Sequence, residues 1–204
     1  IFEKLAKTKY QQLQEEIAST EFVAAHSARL ELADRGGKAG QLLLAKNTAS
    51  GPGVFPSHIF EKLVKSEYPE VRECIAAREF LEAKSAHLHL AENGTLKECM
   101  ILAKQRKPGT KVLETLVKYD EPKLRKVIAL HDSSNAHTAQ TFIAKHGRPS
   151  DRKWLAGNKN AGPTALTILA EDPEEKVRMA MAGNASVHAG KAHVNIAEKG
   201  KIKE

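Results

Sequence analysis

The stretch Leu169–Asn184, LAEDPEEKVRMAMAGN, decides how this chain is read. Leu169-Ala170 closes one short apolar segment. Asp172-Pro173 follows as a cap residue and a proline suited to a first helical position, and Val177, Met181 and Ala182 then recur at helical spacing. The pattern predicts two short helices joined by a tight corner. With Leu169 as position zero, the same order of parts recurs at Leu5, Leu32, Leu63, Leu90, Leu116, Ile143 and Ile196, each followed by alanine or valine. At +12 stand Ile17, Leu44, Ile75, Leu102, Ile128, Leu155 and Met181, and at +13 alanine stands in every copy: Ala18, Ala45, Ala76, Ala103, Ala129, Ala156 and Ala182.

The intervals between zero positions are 27, 31, 27, 26, 27, 26 and 27 residues. Self-similarity at this period identifies a solenoid, because a unit so small cannot bury its own apolar face and must stack on its neighbours. The expectation is an all-α, single-domain array over residues 1–204, of about eight two-helix repeats. A methyl group at +13 lets the next helix approach where leucine would hold it off.

The pattern P/T-x-x-x-L-x-x-L-A-x-D-P-x-x-x-V-R-x-A-x-A-x-N, best matched from Pro163 to Asn184, resembles the leucine-rich repeat variant family, a relative in style of HEAT and armadillo repeats. The match is tightest in the units at Leu63, Leu116 and Leu169. The resemblance implies a right-handed superhelix of paired short helices, one of each pair often 3₁₀ in character. It implies little about activity, because helical solenoids are scaffolds on which binding surfaces are built.

At 41% hydrophobic but only 5% aromatic residues, the core is expected to be aliphatic side chains and alanine. The formal charge of +7 favours an anionic partner, provided the charge is focused. Cys74 and Cys99 make no disulfide framework, so a reduced, cytoplasmic setting is expected. No apolar run reaches bilayer length and no signal-like segment opens the chain. The missing initial methionine leads us to expect a trimmed chain.

The units depart from the pattern in specific places. Gly36, Gly37 and Gly40 stand where the second helix of the second unit should begin, so that helix is expected to start late or fray. Thr48–Pro56 reads as a surface loop, and Lys199, Lys201 and Lys203 as a fraying end. Glu98 and Asp151 put acids at +8, where neighbouring units have valine or leucine.

Three columns are candidates for function. At +9 stand Arg72, Arg125, Arg152 and Arg178, interrupted by Gln14, Gln41 and Cys99. These arginines are either an internal ladder bonding helix-end carbonyls and corner acids, or a row of phosphate clamps. At +2, Lys7, Lys65, Lys118 and Lys145 alternate with acids and read as a mixed solvated edge. The corner after the second helix carries Lys46, Arg78, Lys104, Arg106, Lys107 and Lys159, the better prospect for an anion-facing surface. The third column, +15, holds Arg78, Gln105, His131, Asn158 and Asn184 among others, and reads as a helix stop.

Metal and catalytic readings find little footing. The nine histidines fall in scattered columns, and two cysteines cannot build the four-cysteine iron–sulfur site that some members of the family carry. No phosphate loop, HExxH or nucleophile elbow is present. Some HEAT-like solenoids are alkylpurine DNA glycosylases, and Asp151, Arg152 and Trp154 echo their carboxylate and tryptophans faintly, though Trp154 is expected to pack against the next unit. The sequence thus points to a non-enzymatic scaffold, without cofactor, metal or small-molecule substrate, binding another protein. Nucleic acid is the second reading and glycosylase activity a distant third.

Overall fold

The computed structural model describes residues 11–19, 25–46, 57–79, 83–186, 188–190, 193–194 and 197. Its α-helices are α1 (Gln11–Ser19), α2 (His26–Arg35), α3 (Gly37–Lys46), α4 (Ser57–Leu63), α5 (Pro69–Ala76), α6 (Lys84–Asn93), α7 (Leu96–Ala103), α8 (Thr110–Leu116), α9 (Pro122–Ala129), α10 (His137–His146), α11 (Pro149–Ala156), α12 (Pro163–Ala170) and α13 (Glu175–Ala182). There is no strand among the described residues, and no helix there is long and apolar enough to cross a membrane. The chain divides into two compact units, Ile1–Ile101 and Leu102–Glu204, the division falling within α7. The stripe at Ile1–Ala6, the loop Thr48–Pro56, the zero position Ile196 and the terminal lysines lie outside the described residues.

Within each unit, helices pack in two layers. In 1–101 the second helices α1, α3 and α5 stack in order, and the first helices α2, α4 and α6 do the same. In 102–204 the second helices are α9, α11 and α13, and the first helices are α8, α10 and α12. The apolar columns explain the layers. All described residues at zero and +12, from Ile17 to Met181, are at most 2% exposed, so each helix keeps its apolar stripe between the layers.

The +13 alanines sit where two second helices meet. Ala18, Ala45, Ala76, Ala103, Ala129 and Ala156 are at most 3% exposed. Ala182 departs from the expectation and is exposed, because no following second helix lies against α13 among the described residues. Leucine at Ala129 or Ala156 should therefore overpack the contact and lower stability by about 1–3 kcal/mol. Thermal melts in which both variants match the wild type would defeat this reading of the stack.

The repeats alternate in kind. First helices of the units at Leu32, Leu90 and Ile143 are 10 residues long, and those at Leu63, Leu116 and Leu169 are 7 or 8. The long ones share a 3₁₀ lead-in at Ala25, Ala83 or Ser134–Ala136, and a glycine at +4: Gly36, Gly94 or Gly147. Each glycine N–H closes its helix on the carbonyl at zero, 2.8 Å away. A Cβ at these glycines would lie 2.4–2.6 Å from that same oxygen, which is why no larger residue stands there. Both helices of each pair are α, and 3₁₀ geometry is confined to the lead-ins among the described residues.

The glycine-rich segment corrects a second expectation, since α3 starts at Gly37 and runs unbroken to Lys46. Gly37 has a φ of 58°, the left-handed turn that lets α3 begin one residue after α2 is capped. A Cβ at Gly40 would meet Leu32 Cδ1 at 2.6 Å, so this glycine is a close packing contact.

Candidate functional site

The +9 arginines bond to the chain itself. Arg72 donates from Nε to Glu98 at 2.8 Å and from Nη1 to the Ser66 carbonyl, with its side chain 18% exposed. Arg125 donates to the Val117 carbonyl and to Asp120, and its Nη1 lies 3.6 Å from the Asp151 carboxylate. Arg152 grips both oxygens of Asp172 at 2.6 and 3.0 Å and donates to the Gly147 carbonyl. That carboxylate holds the Arg152 guanidinium above its ordinary pKa. Arg178 donates to the Asp172 and Pro173 carbonyls. This is the geometry of the internal ladder.

The ladder accounts for the acids at +8. Glu98 and Asp151 are fully buried, and each faces the +9 arginine of the preceding repeat. Each also accepts a backbone N–H at the start of its own helix, Thr95 to Glu98 at 2.7 Å and Arg148 to Asp151 at 3.1 Å. One carboxylate thus closes a capping box and pairs with a neighbour. Asp172 is not the N-cap of α13, which begins at Glu175; it is the partner of Arg152 and accepts the Glu174 N–H at 2.9 Å.

Column +15 works across repeats. Asn158 Nδ2 donates to the Ala129 and His131 carbonyls of the preceding repeat at 2.9 and 3.1 Å, and Asn184 Nδ2 to those of Ala156 and Asn158 at 2.6 and 3.0 Å. His131 bonds the Gln105 carbonyl through Nε2 and accepts the Ser133 N–H at Nδ1. Arg78 belongs here too: it is 8% exposed, bonds the Ala45 carbonyl and lies over the Phe60 ring. These side chains cap the helix of the repeat before their own.

A second polar column stands at −3 of alternate repeats. Arg29, His87, Gln140 and His193 bond the carbonyls of Ile17, Ile75, Ile128 and Met181, in each case 12 residues earlier. The alternate repeats place Phe60, Leu113 and Leu166 there, all buried. His87 Nε2 donates to its carbonyl at 3.0 Å, and burial pushes its pKa below the ordinary value while that bond partly opposes the shift. Below about pH 6.5, the ordinary histidine pKa, the unfolded chain binds a proton that the folded chain refuses. Stability is therefore full above that pH and falls below it. His26 adds to the same slope, its pKa depressed by burial and by the charges of His58 and Arg29. His87→Gln should flatten the slope, and urea midpoints that drop equally in wild type and variant from about pH 7.5 to about pH 5 would contradict this.

Formal charge divides sharply between the units. Residues 102–204 hold 19 Lys and Arg against 11 Asp and Glu, whereas 1–101 holds 13 against 14, so the whole excess lies in the second unit. Lys104, Arg106, Lys107 and Lys159 are exposed at corners there, but exposed Asp132 occupies the corner between them. In the first unit, the cleft beside Asp34, His58, Glu61 and Lys62 mixes both signs, with Lys62 Nζ 2.7 Å from Asp34.

The stronger basic surface is the outer side of α9, α11 and α13. Its positions +7, +10, +11 and +14 read Lys123, Lys126, Val127, Leu130 on α9 and the residue after it, Ser150, Lys153, Trp154, Gly157 on the next, and Lys176, Met179, Ala180, Gly183 on the third. No acid stands among these twelve; the nearest in sequence are Glu121 and Glu174 at +5, Glu175 at +6 and the buried Asp151 at +8. All four lysines are exposed, and none pairs with a carboxylate among the described residues. Trp154 is half-buried, with Lys126 Nζ 5.1 Å from its ring centroid. Leu130 and Met179 are 48% and 67% exposed. Sequence reasoning passed over these lysines because it followed columns that repeat in every unit; the available signal was the lack of acids at +7 and +10 in three consecutive units.

Comparison with protein-family models, with curated proteins and with solved structures finds no significant match. The repeat-family resemblance therefore rests on the residues quoted for it.

Proposed function

We propose that this chain is an α-solenoid binding scaffold without catalytic chemistry of its own, and that its partner is another protein. The observation that carries the reading is the outer side of α9, α11 and α13, where four lysines without a carboxylate partner among the described residues lie beside half-buried Trp154 and exposed Leu130 and Met179. Tryptophan and methionine are enriched in protein interfaces, and solvated apolar groups of this size mark interaction sites. The internal ladder supports it from the other side: the arginines, whose forks suit phosphate, are bonded to the chain.

Nucleic-acid binding is the second reading, favoured by the charge excess of residues 102–204. Chromatography of the full chain on immobilised duplex DNA separates the two. A protein partner expects no retention at physiological salt. Retention that falls with salt at a log–log slope of about −0.9 per phosphate contact would transfer the face to nucleic acid.

A further inference from the structure

We infer that His26 and His58 form an acid-released latch between α2 and α4, closed while a single proton lies between their rings and opened when the pair takes up one more. The inference concerns the first unit only and is independent of the reading of the lysine face. His26 is the first residue of α2 and His58 the second of α4, and these two first helices stack on each other. Their Nε2 atoms stand 2.6 Å apart with the rings edge to face, the planes at 84° and the centroids 4.5 Å apart. The other ring nitrogen of His26, Nδ1, is buried and has no hydrogen-bond partner among the described residues. The repeat frame does not demand this contact. His26 stands at −6 and His58 at −5, and the same two positions hold Lys84 and Lys111 in the next two repeats, then His137 and Thr164.

Two neutral imidazoles carry two N–H protons between them, and the contact needs one of these on an Nε2, pointing at the other. An N–H on Nδ1 of His26 would be a buried donor without an acceptor, so His26 keeps its proton on Nε2 and donates it to His58 Nε2. His58 then carries its own proton on Nδ1. A third proton has two places to go. On His58 Nε2 it sets two N–H groups head to head across 2.6 Å, which breaks the bond between the helices. On His26 Nδ1 it puts a charged donor in a buried site with no acceptor, a cost that parting of the helices relieves. A metal ion held on both Nε2 atoms would force the His26 proton onto Nδ1 in the same way.

The surroundings act in the same direction. Burial first, and then the charges of His58 and Arg29, hold the His26 pKa below its ordinary value. The helices α1 and α3 also pack on α2 and bring no further charge to bear on His26 among the described residues. On the open side of His58, the cleft carries Asp34, Glu61 and Glu67 against Lys62 and Lys65, with Lys62 bonded to Asp34 and Glu61 accepting from Ser85 of α6. A base whose folded pKa is depressed keeps its contact above the ordinary histidine value of about 6.5 and loses it as pH falls. His87 shares that sign, but its bond to Ile75 joins other helices, so the release at His26 and His58 is confined to the seam of α2 and α4.

Amide hydrogen exchange of the full chain tests this, read over residues 26–35 and 57–63 and corrected for the intrinsic pH dependence of exchange. Protection there is expected to fall by about tenfold from pH 7.5 to pH 5.5, the effect of one proton on a group of ordinary pKa near 6.5, while protection over α12 holds. His58→Gln leaves an oxygen to accept the His26 N–H and does not ionise, so its seam should keep most of its protection at pH 5.5. His26→Gln can turn its amide to accept from a protonated His58 and should stay closed as well. His87→Gln should open as the wild type does. Equal protection of the wild-type seam at the two pH values, or equal losses in wild type and both glutamine variants of the pair, would overturn the latch. Loss over α12 together with the seam would mean global unfolding and overturn a local release. Zinc at pH 7.5 that protects the seam in the wild type and not in His58→Gln would also overturn it, by making the pair a metal site.

Discussion

Glu98→Ala is expected to lower the stability of this protein by about 3–5 kcal/mol, the cost of leaving one partner of a buried ion pair alone. Glu98 is fully buried, and Arg72 is mostly so. Removing the carboxylate strips Arg72 of its 2.8 Å partner and the Thr95 N–H of its 2.7 Å acceptor in a single change. Glu98→Gln keeps one of the two acceptor oxygens, for either Arg72 or the Thr95 N–H, and should lose less than alanine. The diagnostic variant is the double change Glu98→Leu with Arg72→Met. If the cost comes from an uncompensated charge, the double variant regains much of what Glu98→Leu alone loses, since two apolar groups of similar volume replace a pair that is costly to desolvate. Urea unfolding of these variants together with Arg72→Met alone decides it. Additive losses in the double variant would show that Glu98 acts through its cap and not through Arg72.

Asn158→Ala should cost about 2–4 kcal/mol, because a buried donor pair vanishes and two helix-end carbonyls lose their partner together. The Nδ2 group serves Ala129 and His131 in the repeat before, and Oδ1 accepts the Asn160 N–H at 2.9 Å in its own. The loss therefore falls on the junction between α9 and α11 more than on either helix. Hydrogen exchange gives the readout: amides in the corners at 129–131 and 158–161 should lose protection before the helix interiors do. Protection unchanged at those corners, despite a lower melting temperature, would mean the amide stabilises something else. Asn184→Ala is the natural comparison, since it repeats the same bonds one step along.

The apolar frame was legible because it repeats. Zero, +12 and +13 hold the same residue types in unit after unit, and among the described residues burial follows them at every position but Ala182. Polar residues were harder for a physical reason. An acid at +8 looks like a lapse in an apolar column until the arginine of the preceding repeat is set beside it in space, 26 residues away in sequence for Arg72 and Glu98. Asp172 before a proline satisfies every rule for a cap, yet Arg152 from the neighbouring repeat claims it. Gly36 and Gly40 read as helix weakeners because propensity counts only the helix they belong to, whereas their role is set by Leu32 opposite. The lysine face was least visible of all, since a surface facing solvent is not held to any period by packing.

The alternation of long and short first helices gives this chain a parity. Its smallest interchangeable piece is not one helix pair but two, as the 53-residue steps from His87 to Gln140 and from Gln140 to His193 record. A splice that removes or inserts a double unit returns like to like at every seam. A splice of a single pair sets two glycine-closed long-helix units, or two short-helix ones, side by side. Growth and shrinkage of the array by whole doublets is the arithmetic the fold permits.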